Sequence, residues 1–126
     1  MLIDTDVLIW VSRNNVKAFK EVETIPFPAM SAVTYMEVLY GLRSKMELKK
    51  WHAYIKGRNF RIIPISEEIS NKAQFWMEEY LLTHRLALSD ALIAATANLH
   101  GLDLLTGNDT DFHYIKQLSL KVFKPI

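Results

Sequence analysis

The sequence predicts an α/β domain: a parallel or mostly parallel sheet covered by helices on both faces. Three observations predict it. Short apolar segments alternate with longer segments of helical character. Serines stand at the joints where helices begin, as N-caps do. The prolines (Pro26, Pro28, Pro64, Pro125) fall between apolar segments, where they punctuate rather than interrupt.

Met1 to Asp4 reads as a very short strand running straight into the core. Val7 to Val11 begins a helix, with Asp4 or Thr5 near its cap. Pro28 to Ser31 holds a second strand, and Ser31 caps a helix over Ala32 to Arg43. Lys45 to Lys56 is the next helix, stopped by Gly57. Phe60 to Ile65 is rich in β-branched residues and reads as a strand. Ser66, followed by Glu67 and Glu68, opens a long helix that runs to about Leu82. Ser89 caps a helix over Asp90 to His100, and Gly101 is its natural stop. Asp103 to Thr106 is a strand, Asp109 to Ile115 a short helical turn, and Leu120 to Phe123 the last strand. In such sheets ligands bind beyond the carboxyl ends of the strands, at a topological switch point.

The chain has 126 residues, half of them hydrophobic and 23% charged, which is the size and composition of one globular domain spanning residues 1–126. Cysteine is absent, which excludes disulfide scaffolds, thiolate zinc sites and cysteine nucleophiles. The formal charge of +1 carries no global signal for nucleic acid or membrane, so any basic site is local. No apolar run approaches the roughly twenty residues of a membrane span, and no signal peptide is recognisable. A soluble cytoplasmic domain is expected. Metalloprotease, serine-hydrolase and phosphate-loop motifs are missing. A Ser89–Asp90–His100 triad is excluded, because residues ten apart on one helix lie about 15 Å apart along its axis.

The acidic residues number fourteen, an ordinary count in unusual places. Asp4 follows Met-Leu-Ile at the end of the first strand. Glu37 lies among Thr34, Tyr35, Met36, Val38, Leu39 and Tyr40. Asp90 opens Asp-Ala-Leu-Ile-Ala-Ala-Thr-Ala, the most apolar helix, and Asp109 and Asp111 follow the strand Asp-Leu-Leu-Thr. Each has a purely structural reading. Glu37 fits the solvent edge of an amphipathic helix, Ser89-Asp90 a dipole-favoured cap, and Asp4-Thr5-Asp6 a strand-to-helix turn. Convergence on one end of one sheet separates the readings. Clustered carboxylates stay ionised together only when cations neutralise them. An all-oxygen cluster suits a hard divalent ion, and the chemistry that uses one is phosphoryl or phosphodiester hydrolysis.

Four stretches carry a family resemblance: Leu2-Ile3-Asp4-Thr5-Asp6-Val7-Leu8, Met36-Glu37-Val38-Leu39-Tyr40-Gly41, Ser89-Asp90-Ala91-Leu92-Ile93-Ala94-Ala95-Thr96-Ala97, and Leu105-Thr106-Gly107-Asn108-Asp109-Thr110-Asp111-Phe112. The chain resembles the PIN domain, and within it the VapC-type toxins of toxin–antitoxin pairs, over essentially its whole length. The resemblance implies a three-layer α/β/α sandwich around a short parallel sheet. It implies a Mg²⁺- or Mn²⁺-dependent endoribonuclease, a cognate protein antitoxin and a homodimer. Asp4, Glu37 and Asp90 match the three core acidic positions. Asp111 best matches the fourth. Some members are acidic where this chain has Asn108, and Asp109 occupies a position not usually acidic. Thr5 and Thr106 match small hydroxyl positions beside the metal, and Asp6 a position often held by Asn, Ser or Asp. In the implied mechanism Asp4 and Asp90 hold the metal, with Asp111 directly or through water. Glu37 orients or deprotonates the attacking water.

Arg43 to Arg61 carries Arg43, Lys45, Lys49, Lys50, Lys56, Arg58 and Arg61 against one acid, Glu47, with Trp51, His52, Tyr54 and Phe60 among them. This stretch suits RNA phosphates and unpaired bases. It equally suits a solvated helix face with core aromatics, and the resemblance adds an antitoxin-binding surface. Arg85 and His84 are further candidates for phosphate contact. Trp76, Met77 and Tyr80 are expected in the core or on a dimer face. Two other functions compete. Asp4-Thr5-Asp6 resembles the Asp-x-Asp of haloacid-dehalogenase-type phosphatases, with Asp4 as nucleophile, but Leu8 stands where these carry Thr or Val. A catalytically silent module that binds RNA or protein would not need every acidic position.

Overall fold

A computed structural model describes all residues, 1–126. Five parallel strands form one sheet: β1 (Leu2–Ile3), β2 (Ala29–Ser31), β3 (Arg61–Ile63), β4 (Leu104–Thr106) and β5 (Leu120–Val122), in the order β3-β2-β1-β4-β5. Six helices connect them: α1 (Thr5–Ser12), α2 (Val16–Glu23), α3 (Ala32–Tyr40), α4 (Lys45–Gly57), α5 (Glu67–His84) and α6 (Leu88–Leu99).

The layering follows from strand alternation. Leu2, Ala29, Ile63 and Leu104 point to one face, where they join Ile69, Ala73 and Trp76 of α5 and the small residues of α6 in one core. Ile3, Met30 and Leu105, one residue on from a counterpart in the first core, point to the other face. There they meet Val7, Leu8, Ala18, Val22, Val38 and Trp51 from α1 to α4. The result is the expected three-layer sandwich. Ala91, Ala94, Ala95 and Ala97 are fully buried, which lets α6 lie close against its neighbours.

Most caps match their predicted residues. Ser31 and Ser66 accept from the amides of Val33 and Ile69. Asp4, rather than Thr5, caps α1. Gly101 holds φ +62 just beyond α6, a conformation that favours glycine. Four expectations need correcting. Helix α4 includes Gly57 and closes at Arg58, so the glycine does not stop it. Helix α6 begins at Leu88 with Ala87 at its N-cap and no side-chain cap, so Ser89 lies inside the first turn. Helix α3 ends at Tyr40 rather than Arg43, because Gly41 closes it. Strand β3 is shorter than Phe60 to Ile65, since Pro64 cannot continue the ladder. Helix α2 was unanticipated. Its signal is present in the sequence: an Asn15 cap followed by Ala18 and Val22, four apart on one buried face.

Candidate active site

The chain leaves β1 for β2 and β3 on one side and returns to β4 and β5 on the other. The switch point is therefore between the carboxyl ends of β1 and β4, where Asp4 and Thr106 stand. Asp4 is buried and held by neutral donors. The Thr5 amide donates to its Oδ1 at 2.8 Å, and the Thr106 hydroxyl to its Oδ2 at 2.7 Å. The Asn108 amide donates in turn to Thr106 Oγ1 at 3.0 Å. Asp6, in the first turn of α1, accepts from the Gly107 amide through Oδ2 at 2.9 Å, while its buried Oδ1 has no partner.

Glu37 is brought to α1 by α3. The Thr5 hydroxyl donates to its Oε1 at 2.6 Å and shares a 3.0 Å hydrogen bond with the Thr34 hydroxyl. Thr34, one turn before Glu37, was missed by the sequence reading. Its signal was the i−3 spacing that puts both on one helix face. Glu37 is thus half-buried and oriented, not a free residue at a solvent edge.

These groups share one electrostatic field. Burial, then the neighbouring Asp6 carboxylate, pushes the Asp4 carboxyl up to about 8, against the lowering bonds from Thr106 and Thr5; Asp90 adds to the rise. Burial also raises Asp6, partly offset by the Gly107 amide. Asp90 is raised to about 6 by burial and then by the charges of Asp111, Glu37 and Asp6. The cluster thus spans the first turns of α1 and α6, the middle of α3 and the turn after β4. None of its members is ion-paired: the three salt bridges are Arg58–Glu23, Lys121–Glu21 and Lys124–Asp109.

That last pair gives Asp109 a partner that Asp111 lacks. Lys124 donates to Asp109 Oδ1 at 3.3 Å and to the Gly107 carbonyl at 3.2 Å, an exposed pair at the surface. Asp111 is exposed and unpaired, and its charge acts on Asp90. Asn108 contributes its backbone amide through Thr106.

The donor set fits a hard divalent cation. The candidate side-chain ligands are carboxylate or hydroxyl oxygens, no cation of the chain pairs with Asp4, Asp6, Glu37, Asp90 or Asp111, and a buried carboxylate oxygen is left unpartnered. No three acidic or imidazole groups close directly on one point. This arrangement suits an ion that keeps several waters and takes one or two carboxylates.

Of the basic stretch, Arg43, Lys45, Lys49 and Lys50 are exposed and unpaired, as is Arg85 beyond α5. Arg43, Lys45 and His52 line a groove with Tyr35 and Leu39 of α3, the helix that carries Glu37. Two parts of that stretch are structural instead. Arg58 donates to the carbonyls of Val22 and Ile25 at 3.0 and 2.9 Å and pairs with Glu23. Trp51 is buried and packs with Tyr35 and Tyr54, so it offers no face to a base. Trp76 is core, with Met77 and Tyr80 packed beside it, whereas Phe75 is exposed.

The PIN-domain family model matches residues 1–118. The chain belongs to the PIN-domain family. Within it, the chain is 34% identical over 123 residues to Ribonuclease VapC10 of Mycobacterium tuberculosis (strain ATCC 25618 / H37Rv), covering 94% of this chain and 90% of that one. A toxin–antitoxin complex from Klebsiella pneumoniae contains a chain 35% identical, with a TM-score of 0.71 over 99% of this chain and 97% of that one. The fold is also that of a chain in VapBC2 from Rickettsia felis bound to a promoter DNA fragment. The TM-score is 0.83 over 98% of each chain, at 18% identity. Membership of this family removes the phosphatase reading of Asp4.

Proposed function

We propose that this chain is a metal-dependent endoribonuclease, the toxin of a toxin–antitoxin pair, acting in the cytoplasm on RNA phosphodiester bonds. The similar proteins named as a ribonuclease and as part of a toxin–antitoxin complex support this reading. The observation that carries it is the set of Asp4, Glu37, Asp90 and Asp111 at the switch point, sharing one field with no cation of the chain to neutralise them.

Asp4 and Asp90 would hold Mg²⁺ or Mn²⁺, with Asp111 bonded directly or through water. Such an ion supplies a lowered pKa for the attacking water and stabilises the leaving oxygen. The chain's own residues do the rest. Thr5 and Thr106 lock the Asp4 carboxylate in one orientation. Thr5 also aims Glu37, which orients the attacking water and takes its proton. Asp6, fixed by the Gly107 amide, keeps one oxygen free for a water of the site. Thr106, Asn108 and Gly107 form the rigid turn that backs these acids, and Asp109 serves that turn through Lys124. Arg43, Lys45, Lys49, Lys50 and Arg85 bind RNA phosphates, or an acidic antitoxin segment when the toxin is held in check. The toxin is a homodimer in this reading.

The test is cleavage of a mixed structured RNA by the purified chain with Mg²⁺, with Mn²⁺ and with chelator, beside Asp90→Asn. Metal-dependent cuts lost in the variant are expected. Cuts that persist in chelator, or in Asp90→Asn at the parent rate, overturn the assignment.

A further inference from the structure

Beside the acidic cluster stands an aromatic group that the mechanism leaves unused. The rings of His84, at the end of α5, and Tyr114, after the turn that carries Asp111, are stacked with centroids 4.0 Å apart and planes 15° from parallel. Tyr80 packs against both, at 5.0 Å from Tyr114 and 5.8 Å from His84, and His113 meets Tyr114 edge-on at 5.9 Å. The Tyr114 hydroxyl is buried without a hydrogen-bond partner, and burial followed by the charges of Asp90 and Asp111 pushes the phenol up to about 12.

His84 is exposed, yet its ring is fixed twice, by the stack on Tyr114 and by the Thr83 hydroxyl 2.9 Å from Nδ1. A flat partner stacks at lower entropic cost on a ring that neighbours already orient than on a free one. The unpaired cation Arg85 is the next residue, suited to the phosphate that accompanies a base.

We propose that the stacked His84–Tyr114 pair is a platform for one unpaired nucleobase of the RNA, next to the phosphate held at the acidic cluster. This rests on the nuclease reading above and adds a subsite to it: the enzyme selects unpaired RNA by stacking a base on His84. A base inside a duplex is stacked on its neighbours and cannot supply that face.

The experiment uses the full chain carrying Asp4→Asn, so that RNA is bound and not cut. A fluorescent single-stranded oligoribonucleotide of mixed sequence, and the same sequence as a duplex, are titrated in Mg²⁺ buffer. Three proteins are compared: the parent, His84→Ala and His84→Phe. His84→Ala is expected to weaken single-strand binding about tenfold, the size of one base stacked on one ring. His84→Phe is expected to restore it, and duplex binding to be equal in all three. Unchanged single-strand binding in His84→Ala overturns the platform. So does an equal loss in His84→Phe, which would place the contact on the ring nitrogen, or an equal loss for duplex, which would place it on the backbone. A parent that binds no unpaired RNA also overturns it. Cleavage by the unsubstituted chain is read separately. A chain that binds through His84 but cuts nothing overturns the nuclease reading and leaves the platform standing.

Discussion

At Asp4 both carboxylate oxygens are met by neutral donors, an amide and a hydroxyl, and no positive charge of the chain compensates the burial. Asp4→Asn keeps the shape and removes a charge that the metal-free fold resists. It is expected to abolish cleavage and to raise the metal-free melting temperature, as is Asp90→Asn; an unchanged or lower melting temperature in chelator would count against a preformed cluster. Glu37→Gln keeps the acceptor for Thr5 but takes no proton. Its expected signature is a loss in kcat of about 10²-fold or more with KM little changed, read in steady-state kinetics. Gly107 shows the same tightness from the backbone side. A Cβ there would lie 2.6 Å from Asp6 Oδ2 and 3.0 Å from the Phe123 carbonyl. Gly107→Ala is expected to destabilise by about 1–3 kcal/mol in chemical denaturation. None of this closeness is visible from the lone glycine in Thr-Gly-Asn.

At the scale of elements, the basic stretch divides in two. Arg58 satisfies the final carbonyls of α2 and the turn after it, so it belongs to the fold. Arg58→Met should cost about 1.5–3 kcal/mol of stability by denaturant titration and leave RNA affinity nearly unchanged. Lys49 and Lys50 are solvated and free, and the double change to Ala should behave in the opposite way, with normal stability and a shallower salt dependence of RNA binding. Composition treats these cations alike. What distinguishes them is that Arg58 lies at the C-cap of α4, where its guanidinium reaches the carbonyls of Val22 and Ile25 at the end of α2.

For the whole molecule, the consequence of the cluster is a pH dependence of folding. The folded-state carboxyls of Asp4 and Asp90 titrate near 8 and 6, above the ordinary 3.8 of an unfolded aspartate, so between these limits the native chain binds more protons than the unfolded one. Their contribution to stability is full below about pH 4 and is lost as pH rises through 6 and 8. In chelator the melting temperature should therefore fall as pH rises from about 5 to 8, other groups held equal. Added Mg²⁺ or Mn²⁺ should restore it most at the alkaline end, because binding to the native state stabilises by mass action. A metal-free melting temperature that climbs steadily over this range would contradict the cluster.

The acidic candidates Asp4, Glu37, Asp90 and Asp111 were legible through the family resemblance of four motifs, whereas the residue order alone determined the alternation of strands and helices, the Ser31 and Ser66 caps and the stop at Gly101. Those features are local, or are carried by short runs of sequence whose periodicity and capping chemistry act within a few residues. Tertiary structure decided the rest. It paired Asp109 with Lys124 and left Asp111 free, aimed Glu37 through Thr5 and Thr34, turned Arg58 and Trp51 into the fold, and stacked His84 on Tyr114. The physical reason is distance along the chain. Thr106 lies 102 residues from Asp4, and only the adjacency of β1 and β4 in the sheet puts a hydroxyl 2.7 Å from that carboxylate.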